Sequence, residues 1–131
     1  MQKIIIASGP VIVEGDRVLL NKHGDTTFFK FCGGKAETLE ANLIETAKRE
    51  SKEEMGIDIE ISDSNPFITH TVKDTPEGPI DVILVHFLAR RTNEINPGPD
   101  IREWKWVDLK NLGDEELAPN IIPVLKHFKY V

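Results

Sequence analysis

Residues 33–57 read GGKAETLEANLIETAKRESKEEMGI, and the fold turns on this stretch. Asn42 followed three residues later by Glu45 is a capping box, the start signal of a helix. Gly56 is placed to end that helix just after Met55. At about 100° per residue, Leu43, Ile44, Ala47, Ser51 and Met55 gather into one arc, the stripe that packs on a neighbouring layer. Glu50, Glu53 and Glu54 fall in the adjoining arc at the seam with that layer, expected to be partly screened from water. Glu45, Lys48 and Lys52 point outward.

The three glutamates load the helix against itself. Negative charge is disfavoured at a helix C-terminus, and Glu50 repels residues three and four positions on, each effect costing a few tenths of a kcal/mol. Clustered carboxylates at a protected seam either share protons at raised pKa values or hold a hard cation. The blander alternative is a charged helix end with no role.

Working outward, residues 2–13 and 17–22 are predicted strands joined at Gly15-Asp16, and 27–31, TFFKF, is a short strand running into Gly33-Gly34. Further strands are expected near 57–62, at 66–73 and at 81–90, with DTPEGP turning between the last two. NPGPD is a loop, EWKWVDL a strand, NLGDEEL a short helical turn or loop, and a closing helix starts near Ile121 with Asn120 as its N-cap. The order is not a regular βαβ alternation, which predicts an α/β fold with a mixed sheet packed between helices.

The 131 residues suit one domain spanning 1–131. A net charge of -6 argues against an extended nucleic-acid surface. It still allows a metal-bound polyphosphate, because bound cations reverse the local sign. Lys3 precedes an apolar run, but Pro10 breaks it and a hairpin follows, unlike a signal peptide. No run approaches the ~18 apolar residues of a membrane span. Cys32 is the only cysteine, so a reducing, cytoplasmic setting is expected.

The segment from Gly33 to Ile57 resembles the Nudix box, G-x5-E-x7-R-E-U-x-E-E-x-G-U, where U is a bulky aliphatic residue. Arg49, Glu50, Glu53, Glu54, Gly56 and Ile57 match its second half in register, a pattern that chance yields about once in a million positions. The first half departs from it. Eight residues rather than seven separate Glu40 from Arg49, with the extra one placed in the loop near Ala41. Leu39 stands where a glycine is usual, Cys32 where a proline is usual, and Ser51 where an aliphatic residue is usual.

The resemblance implies the Nudix fold, an α/β/α sandwich with a mixed β-sheet, and hydrolysis of a diphosphate linkage in a small nucleotide. It implies Mg²⁺ or Mn²⁺ held by Glu50, Glu53, Glu54 and the Gly34 carbonyl, with Arg49 bracing the glutamates. Glu50 or Glu53 would act as the base. Asp100 and Glu103, ahead of Trp106, are candidates for a further acidic ligand, or else solvated loop charges.

On the substrate side, Lys22, His23, Lys30 and Lys35 lead into the box and could reach phosphates; each could equally be an ordinary surface residue. Period-two alternation puts Phe29 and Phe31 on one face, expected in the core. His70, His86 and His127 show no metal-ligand spacing and are read as structural. The segment APNIIPVL resembles the one before the last helix in MutT-like enzymes that destroy oxidised purine triphosphates, where an asparagine reads the purine edge. Asn120 would do so here, or would serve only as an N-cap.

The preferred reading is a nucleoside triphosphate cleaved to monophosphate and pyrophosphate. Within the family the rival is an ADP-ribose or nucleotide-sugar pyrophosphatase. Outside catalysis it is a Nudix-like nucleotide sensor. RNA decapping fits the acidic charge poorly, and the superfamily's prenyl diphosphate isomerase gains little support from Cys32. A monomer or homodimer is expected.

Overall fold

Apolar alternation in the N-terminal segment builds β1 (Ile4–Glu14), which turns at Gly15-Asp16 into β2 (Arg17–His23). Gly15 has φ +62°, the left-handed conformation a two-residue hairpin turn requires. The computed structural model describes residues 3–37 and 39–131, so the expected start of β1 at residue 2 lies outside them. The chain continues through β3 (Gly34–Lys35), α1 (Leu43–Met55), β4 (Ile59–Ile61), β5 (Phe67–Thr75), β6 (Gly78–Arg91) and β7 (Ile101–Asp108). A 3₁₀ turn at Leu112–Asp114 leads to α2 (Ile121–His127).

The strands form one mixed sheet in the order β4-β6-β1-β2-β7, with β3 on β1 and β5 on β6. β1 and β6 run parallel from Ile4↔Asp81 to Ile12↔Ala89; the other pairings are antiparallel. Alternation along each strand sends side chains to two separate cores. Val11, Val18, Leu20, Phe29, Phe31 and Val107 pack under Ile121, Val124 and Leu125 of α2. Ile12, Leu19, Cys32, Val85, Phe87 and Ala89 pack under Ala47 and Met55 of α1. The sheet is therefore the middle layer of an α/β/α sandwich, as the sequence predicts.

Local details differ from expectation. TFFKF does not form a strand over 27–31: Lys30 bridges Asn21 on one side and Phe29 bridges Leu117 on the other, so the segment is pinned between two partners. Thr46 is fully buried although the apolar stripe did not include it, and its hydroxyl donates to Glu40. Asn42 caps α1 as expected, its Oδ1 accepting from the Glu45 N–H at 3.0 Å, but the Glu45 carboxylate bonds the Ala41 N–H rather than that of Asn42. Asn120 makes no side-chain cap to α2. Its backbone is already helical (φ -86°, ψ -11°), whereas capping needs the extended conformation.

Candidate active site

The last two turns of α1 carry Arg49, Glu50, Glu53 and Glu54 to the edge of the Gly33-Gly34 segment. Arg49 is the hub. Its Nη1 donates to Glu50 at 2.8 Å and Glu53 at 3.1 Å. Its Nε and Nη2 hold Glu40 in a bidentate pair at 3.0 and 3.2 Å, and Nη2 also donates to the Lys35 carbonyl at 2.8 Å. Arginine's planar fork is what allows one residue to bind loop and helix together. The extra loop residue thus leaves Glu40 in use as the anchor of Arg49. Hydrogen bonds from Arg49 and the Glu37 N–H hold the Glu40 carboxyl down at about 2.

The three glutamates are unequal. Glu50 and Glu54 keep only 14% and 10% of their side chains exposed, while Glu53 keeps 58%. The expectation of three partly screened carboxylates therefore holds for two. Burial raises the Glu50 pKa; Arg49 opposes the rise, and Glu54 and Glu53 add to it. The Glu54 Oε1 accepts the Gly33 N–H at 3.1 Å and lies 3.7 Å from the Lys30 ammonium. Gly34 lets the Glu50 carboxylate lie against the loop, since a Cβ there would come 2.5 and 2.6 Å from its oxygens and displace it.

These residues fit a hard divalent cation in donor chemistry: oxygen ligands on one helical arc, a carboxylate whose burial calls for positive charge, and a backbone carbonyl at Gly34. As they stand, Glu50 and Glu53 share Arg49 and Glu54 turns to Gly33 and Lys30. No three acidic, histidine or cysteine groups converge among the described residues.

The helix end itself is held by a distant loop. The Asn96 N–H donates to the Met55 carbonyl and the Gly98 N–H to the Glu54 carbonyl, both at 2.8 Å. This satisfies carbonyls that a helix C-terminus otherwise leaves orphaned. Asp100 follows two residues after Gly98, and its carbonyl accepts the Gly24 N–H beside His23. Lys22 pairs with Glu103 at 3.3 Å and lies over the Phe29 ring. Lys22, His23, Asp100 and Glu103 thus group at the β2–β7 end, on the chain that leads from the Gly98 bond to Glu54.

Two openings flank the hub. An open cleft of about 470 Å³ is lined by Lys35, Ala36, Glu37, Arg49, Glu50 and Glu53. Past Gly33-Gly34, a cavity of about 100 Å³ reaches Lys30, Phe31, His86 and Asn120. Asn120 and Leu84 also line a neighbouring cavity of about 300 Å³ with Thr69, Pro119 and Pro123. The Cys32 thiol is buried and its pKa is raised by that burial and by Glu54, so it is a poor nucleophile. His127 stacks on Phe67 at 4.3 Å and His70 pairs with Asp81 at 2.7 Å.

The sequence model of the NUDIX domain matches residues 4–128. The chain belongs to the Nudix family. Nudix hydrolases act on diphosphate linkages of small nucleotides, and the Arg49–Glu54 segment lies within the matched residues. A MutT Nudix hydrolase from Burkholderia pseudomallei superposes with a TM-score of 0.79 at 23% identity, covering 95% of this chain and 98% of that one. A MutT protein from Methanosarcina mazei Go1 gives 0.76 at 25% identity, covering 97% and 94%. An ADP-ribose pyrophosphatase from Streptococcus suis gives 0.67 at 20% identity, covering 93% and 87%. No protein among the curated ones matches the chain. Among the described residues no helix is long and apolar enough to cross a membrane.

Sequence reading missed the part of Glu37 in the hub, whose carboxylate lies 3.6 Å from Arg49, and did not place His86 or Thr69 at the cavities. A signal existed for His86: in DVILVHFLAR it shares a face with Val82, Leu84 and Leu88, where an apolar residue would be usual.

Proposed function

We propose that this Nudix hydrolase cleaves a nucleoside triphosphate to the monophosphate and pyrophosphate, with Mg²⁺ or Mn²⁺ as cofactor. The observation that carries the reading is the retention of Glu50, Glu53 and Glu54 beside Gly33-Gly34, with Arg49 bonded to two of them. Those three carboxylates and the Gly34 carbonyl would hold the cation, with Asp100 or Glu103 as a further ligand. Such an ion, when bound, neutralises phosphate oxygens and lowers the pKa of water at phosphorus.

The protein's own groups do the rest. Arg49 keeps Glu50 and Glu53 in place and ties them to the loop through Glu40. Lys35, at the mouth of the cleft, offers charge to phosphate oxygens, with Lys22 and His23 as more distant contacts. Glu50 or Glu53 accepts the proton of the attacking water, and exposure on the cleft gives Glu53 the easier access. Asn120, free of a capping role, presents an amide that can both donate to and accept from a base. A buried free thiol at Cys32 suits a reducing cytoplasm.

The test is phosphate release from a nucleotide panel with Mg²⁺, with and without inorganic pyrophosphatase. Signal only with the helper enzyme supports pyrophosphate release from triphosphates. Turnover confined to ADP-ribose or nucleotide sugars would replace the substrate, in line with the Streptococcus suis neighbour. Binding without turnover of any candidate would identify a sensor.

A further inference from the structure

Among the described residues, buried side-chain polar atoms without a hydrogen-bond partner fall at His86 Nδ1, Thr69 Oγ1 and both amide atoms of Asn21. Asn21 lines neither cavity beneath α2. His86 and Thr69 line one each, and Leu84 and Asn120 line both.

The sheet register explains the placement. Phe67 pairs with His86 and Thr69 with Leu84, so Thr69 and His86 are diagonal neighbours on one face. That spacing is about 7–8 Å. Ala7, opposite Leu84 on β1, carries only a methyl group there, which leaves space between the sheet and the start of α2. Phe31 forms a wall, its ring 4.9 Å from that of His86. Lys30 lines the same cavity and its ammonium lies 3.7 Å from Glu54, which places the cavity beside the acids.

Buried polar groups are nearly always paired, and an unpaired one costs free energy that a matching ligand recovers. Thr69 and His86 bring a hydroxyl, which can donate and accept, and an imidazole to the cavity walls that Asn120 also lines, with Oγ1 and Nδ1 closed to water as the structure stands. His86 is only 5% exposed, and burial with Lys30 nearby pushes its imidazole down to about 3. The ring is therefore uncharged and acts as a hydrogen-bonding group rather than as a cation. These are the attributes of a site for the edge of a flat, polar, uncharged ring.

We propose that His86 and Thr69 are specificity-determining residues, pairing through Nδ1 and Oγ1 with the hydrogen-bonding edge of a nucleobase that lies across the two cavities beneath Asn120. This rests on the nucleotide reading above and adds to it which residues choose the base. Discrimination then comes from the floor of the sheet as well as from the Asn120 amide.

The experiment follows the imidazole ¹⁵N resonances of the full chain during titration with nucleoside triphosphates, the matching nucleosides and inorganic tripolyphosphate. A base-bearing ligand, with or without phosphates, is expected to shift His86 Nδ1, and tripolyphosphate is expected to leave it in place. In parallel, Thr69→Val should lower kcat/KM for the preferred base about tenfold, mainly through KM, and flatten the ranking among bases. His86→Phe keeps the ring and removes both nitrogens, with the same outcome expected; if it does not fold, Thr69→Val and the resonances still decide. An unmoved Nδ1 at saturating nucleotide, with an unaltered base ranking in Thr69→Val, overturns the proposal and leaves the hydrolase reading intact. Failure of the wild-type chain to turn over any nucleotide overturns the hydrolase reading, and the nucleoside titration then decides the base-pairing role alone.

Discussion

Replacing Gly34 by alanine separates position from stability at the acid cluster. The added Cβ would lie 2.5 and 2.6 Å from the Glu50 carboxylate oxygens, so that group must retreat by about 1 Å to reach ordinary contact. Gly34 is not among the glycines with positive φ, so alanine brings no backbone strain. The atoms in the way belong to the free end of a side chain. The protein should therefore still fold, with a net loss of about 1–2 kcal/mol once the lost Glu50–Arg49 bond is set against a stiffer unfolded chain. Activity should not be spared. The displaced carboxylate leaves its 2.8 Å bond to Arg49, and a 1 Å misplacement costs about a hundredfold, or about 2.7 kcal/mol in the barrier. Pyrophosphatase-coupled phosphate release gives the rate, and thermal melting gives the fold. Gly33→Ala is the contrast: φ is +144° and the Cβ would lie 2.7 Å from the Ser8 carbonyl, so it should lower Tm further. Gly34→Ala activity within threefold of wild type would refute the role given to the Glu50 position. A large fall in Tm for that variant would refute the separation itself.

Glu53→Gln should cut turnover at least a hundredfold without loss of fold, because Glu53 is exposed and bears on the cleft rather than the core; unchanged turnover in the same assay removes it from the mechanism. The Glu40 carboxyl titrates lower folded than unfolded, so its stabilising contribution is complete above about pH 4.5 and drains away as pH falls towards 2. Urea melts of wild type and Glu40→Gln should therefore differ at pH 7 and converge as pH falls through that window; a constant gap would contradict the assignment. Asn42→Ala should cost about 1 kcal/mol by the loss of a cap. Asn120→Ala should leave Tm almost unchanged, since no cap is lost, and raise KM for nucleotide, as steady-state kinetics would record.

What was legible in the chain was mostly local chemistry. Asn42, Gly56 and the apolar stripe specify α1 from within 15 or so residues, in keeping with capping and periodicity rules. The hairpin at Gly15-Asp16 is similarly local. Residues 27–31 misled because aromatic strand-formers there serve two separate partners, which only tertiary pairing decides. Asn120 suits a cap and a ligand contact alike, and its backbone angles, invisible in sequence, remove the cap and leave the contact as a proposal. The Glu37–Glu40 loop matters through Arg49, 9 to 12 positions away, and the His86–Thr69 face exists only once β5 and β6 are in register.

Gly98 stands almost in contact with the helix backbone: a Cβ there would come within 2.6 Å of the Glu53 carbonyl. Helix termini are ordinarily the first parts of a fold to fray. Tethering this one by two amides turns a floppy tip into a rigid mount for the acids it carries. Lengthening the 94–100 loop would then slacken that mount, a change transmitted to chemistry without altering any acid.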